Sequence, residues 1–173
     1  MPNNKRVYLA HPISTRGEFN DSIRVAERIR SLGYTVYAAA ENLNINDKSR
    51  EPTPQDIYDA DMTELLSADI VVANVTGGHA DGTICEIGAV AGFNEAIAQV
   101  DGETIPIIGY TSNARMLQPQ FYEGVPSASA NHLVLGAIDR WGEFVGDEKA
   151  MCRKLERIKN EKEYDIHSKI KRN

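Results

Sequence analysis

The chain has 173 residues, of which 42% are hydrophobic and 25% charged, and it carries a formal net charge of −6. That size and mixture fit one globular domain with a full core. The acidic balance argues against a nucleic-acid partner, which needs a basic face. No apolar run is long enough to span a bilayer, so no membrane partner is expected. The two cysteines, Cys85 and Cys152, offer neither a disulfide framework nor metal-ligand spacing, which points to a reducing compartment.

The segment Met1-Pro2-Asn3-Asn4-Lys5-Arg6 leads straight into a predicted strand, Arg6 to Ala10. A chain that begins this way shows no signal peptide, and the cytoplasm is its expected location. Asn20-Asp21-Ser22 offers helix caps, followed by Ile23, Ala26, Ile29 and Leu32 at helical spacing. Gly33 closes that helix. Thr35 to Ala39 reads as a second strand, and Glu41 to Pro52 as a polar loop. Thr53-Pro54 then opens a helix with proline in the tolerated first position. Ile70 to Asn74 is the third strand, followed by a glycine-rich loop, Val75 to Gly82. An apolar helix carrying Glu86 comes next. Thr104 to Gly109 reads as strand four and Leu133 to Leu135 as a short fifth.

Alternation of this kind predicts a single-domain α/β fold, flavodoxin- or Rossmann-like, over residues 1–146. Its sheet is mostly parallel, doubly wound and about five strands wide. Residues 147–173 are dense in Lys, Arg and Glu, with a thin stripe of Met151, Leu155, Ile158, Ile166 and Ile170. They are expected to form a charged, solvated C-terminal helical extension.

The chemistry concentrates in Asp81-Gly82-Thr83-Ile84-Cys85-Glu86-Ile87-Gly88. This stretch follows a buried strand and opens a helix, at the sheet edge where open α/β folds bind ligands. Its glycines allow another molecule to approach the backbone closely. Glu86, expected on the first helical turn, should be kept ionised by the helix dipole. A second acid, Asp61, lies on the helix that feeds the same strand, in Tyr58-Asp59-Ala60-Asp61-Met62. If it faces Glu86, like-charge repulsion raises its pKa. Two carboxylates separated in this way can divide the roles of nucleophile and acid.

Together these segments resemble the nucleoside 2-deoxyribosyltransferase family and its relatives, the nucleotide N-glycosidases. The resemblance runs from about Tyr8 to Tyr110. It rests on the opening strand Val7-Tyr8-Leu9-Ala10, on Asp61 ahead of Ala68-Asp69, and on Gly82-Thr83-x-x-Glu86-Ile87-Gly88. It implies that Glu86 attacks C1′ of the sugar, Asp61 handles the proton of the base, and Tyr8 orients Glu86. Asp81, Gly82, Thr83, His11, Ile13 and Asn42 are the expected substrate contacts. The expected substrate is a nucleoside or nucleobase, and the chemistry needs no cofactor or metal.

The resemblance also implies homo-oligomers with shared active sites. Met116, Leu117, Phe121 and Tyr122, within Tyr110 to Ser129, are the expected contact surface. Two other readings stand beside base exchange: a nucleoside 5′-monophosphate N-glycosidase, and a non-catalytic nucleotide-binding module. Ala80 stands where family members place an aspartate or a serine, and Asp81 follows it. A carboxylate there favours a sugar hydroxyl over a phosphate, whereas Ser14-Thr15-Arg16 could hold a phosphate. Gly77-Gly78-His79 is too weak a pattern to define a dinucleotide site.

Overall fold

The structure is a computed structural model. It describes residues 4–47, 49, 51–76, 80–117, 121–122, 125–126 and 130–170, with backbone alone at 121–122, 125–126 and 162–170. The elements in chain order are β1 (Arg6–Ala10), α1 (Arg16–Ser31), β2 (Thr35–Ala38), α2 (Leu43–Asn46), α3 (Pro54–Leu66), β3 (Ile70–Asn74) and α4 (Asp81–Ala98). They continue with β4 (Ile107–Tyr110), β5 (Phe121–Tyr122), β6 (Val125–Pro126), α5 (His132–Trp141), β7 (Gly142–Gly146) and α6 (Glu148–Ile170). Five strands form one parallel sheet in the order β2-β1-β3-β4-β7, and β5 and β6 pair as a separate antiparallel hairpin.

The strands are apolar on both sides because helices cover both faces. Val7 and Leu9 of β1, Ile70 and Val72 of β3, and Ile108 of β4 pack with Val25, Ala26 and Ile29 of α1 and Met151 and Leu155 of α6. Tyr8 and Ala10, Val71 and Ala73, and Ile107 point the other way, to Leu65, Ile87, Val90, Val134 and Ile138. Strand order reverses between β1 and β3. A crevice opens there at the carboxyl edge, where ligands bind in doubly wound sheets.

Several boundaries differ from the sequence expectation. Helix α1 starts at Arg16, not at Asn20-Asp21-Ser22. Thr15 is its N-cap in a capping box: the Thr15 Oγ1 accepts from the Glu18 N–H at 3.2 Å, and the Glu18 carboxylate accepts from the Thr15 N–H at 2.8 Å. Ser22, inside the helix, is buried. Gly33 does close α1, with φ +91°. The polar loop holds a single turn of helix, α2, capped by Asn42.

Leu133–Leu135 is not a strand but the first turn of α5, capped by Asn131. Three apolar residues are too few to separate the two periods, and Val134 and Ile138, one turn apart, are the buried pair. The fifth strand of the sheet is β7. Gly142 makes it possible, since a Cβ there would lie 1.8 Å from the Ile107 carbonyl oxygen.

Helix α6 is not simply solvated. Met151, Cys152 and Leu155 are buried in the core, and the Tyr34 hydroxyl donates to the Leu155 carbonyl at 2.7 Å. No helix among the described residues is long and apolar enough to cross a membrane. Of the expected contact surface between subunits, the side chains of Phe121 and Tyr122 lie outside the described residues, as do Gly77, Gly78 and His79 of the glycine-rich loop.

Candidate active site

A cavity of about 330 Å³ opens at the carboxyl edge of the sheet. His11, Pro12, Ile13 and Ser14 from the loop after β1 form one wall. Ala80, Asp81, Gly82, Thr83 and Glu86 of the α4 start form the opposite wall, and Ala39 and Asp61 complete the lining.

Tyr8 supports the floor. It is 0% exposed, and its hydroxyl donates to Glu86 Oε1 at 2.5 Å. Its neighbour in the parallel register of β1 and β2 is Tyr37. The two rings stack with centroids 5.3 Å apart and an interplanar angle of 27°. The Tyr37 hydroxyl donates to Asp61 Oδ1 at 2.7 Å and accepts from the Asn42 side-chain amide at 3.0 Å. Each acid therefore receives a phenol hydrogen bond, and the two phenols come from adjacent strands at one level of the sheet.

The electrostatics follow from burial. Glu86 lies on the second turn of α4, beyond the reach of the first-turn dipole effect. Loss of solvent pushes its carboxyl up to about 8, the Tyr8 hydrogen bond lowers it and the Asp61 charge raises it further. The expectation that the helix dipole keeps Glu86 ionised is thus corrected. The Asp61 carboxyl is also raised, as expected, but by burial rather than by repulsion from Glu86, and the Tyr37 hydrogen bond opposes the rise. Burial first, and then the adjacent acids, push the Tyr8 phenol far above its ordinary value, so Tyr8 stays a donor.

The start of α4 is open to a ligand. Its N-cap, Ala80, has no side chain that can accept a hydrogen bond, and Asp81 is the exposed first helical residue rather than the cap. Thr83 is 3% exposed, and its hydroxyl has no partner among the described residues. On the opposite wall His11 is buried. Its Nδ1 lies 2.7 Å from the Pro12 carbonyl oxygen, and its Nε2 lies 2.8 Å from the Asn74 amide nitrogen and 3.3 Å from the Asp21 carboxylate. These contacts fix the ring in place. Held in this way, His11 shapes the cavity wall.

A sequence model of the family described as nucleoside 2-deoxyribosyltransferase matches residues 7–154. The chain belongs to the nucleoside 2-deoxyribosyltransferase family. Solved structures agree on the fold. A conserved protein from Enterococcus faecalis V583 superposes with a TM-score of 0.71 at 23% identity, covering 89% of this chain and 98% of that one. The 2-deoxyribosyltransferase of the psychrotolerant bacterium Bacillus psychrosaccharolyticus superposes with a TM-score of 0.54 at 16% identity, covering 77% and 82%. Comparison with curated proteins gives no match.

In this family member the residues expected from sequence fall into three groups. Glu86, Asp61, Asp81, Gly82, Thr83, His11 and Ile13 all line the cavity. Tyr8 lies beneath it, bonded to Glu86. Asn42 is not part of the lining, and it reaches the site through Tyr37. In the sequence Tyr37 stands only as one residue of a strand, with nothing local to tie it to the site. The available signal was register, since a parallel neighbour of β1 that carries tyrosine can set it beside Tyr8.

Proposed function

We propose that the protein cleaves the N-glycosidic bond of (deoxy)nucleosides and transfers the sugar to a second base, through a glycosyl-enzyme on Glu86. The observation that carries this reading is the pair of acids on one 330 Å³ cavity, each held by its own tyrosine. Retaining glycosyl transfer needs one carboxylate to attack and a second group to move the proton of the leaving group.

In the first half-reaction a Glu86 oxygen donates an electron pair to C1′. The C1′–N pair departs with the base, which takes its proton from Asp61. In the second half-reaction the incoming base attacks C1′ and loses its proton to the Asp61 carboxylate, and the bond from C1′ to Glu86 breaks. Water in place of the second base gives hydrolysis.

The reactive form carries one proton between the two acids, on Asp61. Its population is greatest between the two titrations of the pair, so kcat/KM should follow a bell-shaped pH profile. The alkaline limb should fall near the Glu86 value of about 8. The Tyr8 hydrogen bond stabilises ionised Glu86 and so favours the reactive form.

Incubation with one deoxynucleoside and a different free base tests the proposal. A new nucleoside supports base exchange. Free base with free sugar shows hydrolysis on the same framework, and unchanged reactants favour a binding module.

A further inference from the structure

We propose that Tyr37 is a positioning residue for Asp61, holding one carboxylate oxygen by its phenol so that the other faces the base. This inference rests on the reading of Asp61 as the proton-handling acid. Its observational basis is the chain of contacts running from Asn42 through Tyr37 to Asp61. The Asn42 side-chain amide donates to the Tyr37 oxygen at 3.0 Å. With that lone pair engaged, the phenol hydrogen is directed at Asp61 Oδ1, 2.7 Å away. Asp61 Oδ2 has no partner among the described residues, and Asp61 lines the cavity.

The phenol cannot easily swing aside. Its ring stacks on Tyr8, which is 0% exposed and anchored to Glu86. The side chain of Asn42 is fixed in turn, because its Oδ1 accepts from the Asn44 N–H at 3.1 Å as the cap of α2. A loop residue outside the cavity therefore sets the direction of a hydrogen bond within it. The same bond stabilises the Asp61 carboxylate against the rise that burial imposes, and so eases release of its proton. Among the described residues, the other ionisable groups on the cavity or beneath it are Glu86 of α4, Tyr8 of β1, and His11 and Asp81.

The direct test is a titration of the Asp61 carboxyl, followed by carbon-13 NMR in the wild type, Tyr37→Phe and Asn42→Ser. Phenylalanine preserves the stacked ring and removes only the hydroxyl. Serine can still cap α2 but is too short to reach Tyr37. Losing one hydrogen bond to a charged group should raise the Asp61 midpoint by about one pH unit in Tyr37→Phe, with a smaller rise in Asn42→Ser.

In turnover, the acid limb of kcat/KM should move up with the midpoint. The optimum rate should fall by about 10-fold for a poor leaving group and far less for a good one. An Asp61 midpoint that is the same in all three proteins overturns the inference. The titration needs no turnover, so a wild type inactive on nucleosides would refute the proposed reaction while the coupling of Tyr37 to Asp61 is still measured. Should Tyr37→Phe fail to fold, Asn42→Ser alone decides by the same midpoint.

Discussion

Glu86 places a cost on the folded state that rises with pH. Its folded value of about 8 lies above the ordinary 4.5, so between these values the unfolded chain is ionised while the folded protein keeps the proton. Stability contributed by the neutral carboxyl is therefore present below about 4.5 and is lost as pH rises through about 8. Glu86→Gln should be inactive, yet as stable as the wild type at pH 4 and more stable at pH 8, by on the order of 2 kcal/mol after allowance for partial exposure. Denaturant midpoints of the two proteins at both pH values check this.

Asp61→Asn keeps the shape and loses the proton, so turnover should fall by roughly 10²–10⁴-fold. Equal losses for good and poor leaving groups would make Asp61 positional. At this scale the sequence singles out Glu86, Asp61 and Tyr8, and the fold sets both acids on one cavity with the Tyr8 hydroxyl on Glu86. The sequence did not disclose the pKa of Glu86, which depends on burial by segments far apart in the chain. Nor did it disclose Tyr37, whose role depends on strand register.

Among the elements, the central strands and α3 were legible because local signals agree with tertiary demand. Ile70–Asn74 is a short apolar run, and Thr53 caps α3 in a capping box with Asp56. The fifth strand was not legible. Gly-Glu-Phe-Val-Gly, residues 142–146, is poor in strand formers, and it pairs with β4 because Gly142 lets the two backbones meet. Helix α6 misled for a different reason. Its charged residues describe the exposed face, whereas a few residues dock it: Met151 and Leu155 are each 0% exposed. Leu155→Ala should therefore destabilise the protein by about 2–5 kcal/mol, as buried leucines do. A urea midpoint moved by less than about 0.5 kcal/mol equivalent would fit a solvated helix instead.

Over the whole molecule, a doubly wound sheet gathers residues distant in sequence at one crevice, and the chain belongs to a family that acts on nucleosides. The sugar's 5′ end should meet the start of α4, where Asp81 carries a charge and the Thr83 hydroxyl is unpaired among the described residues. A carboxylate accepts a hydrogen bond from a hydroxyl and repels a phosphate, by about 1 kcal/mol or more at contact. We therefore expect a higher kcat/KM for a deoxynucleoside than for its 5′-monophosphate. A preference for the monophosphate that is lost in Arg16→Ala would reverse that assignment.

The most direct test of the account is to quench a reaction with a deoxynucleoside in acid and map the peptides by mass spectrometry. A deoxyribosyl adduct on the peptide containing Glu86, absent in Glu86→Gln, is the predicted result. The sugar on another residue, or full turnover by Glu86→Ala, would contradict it.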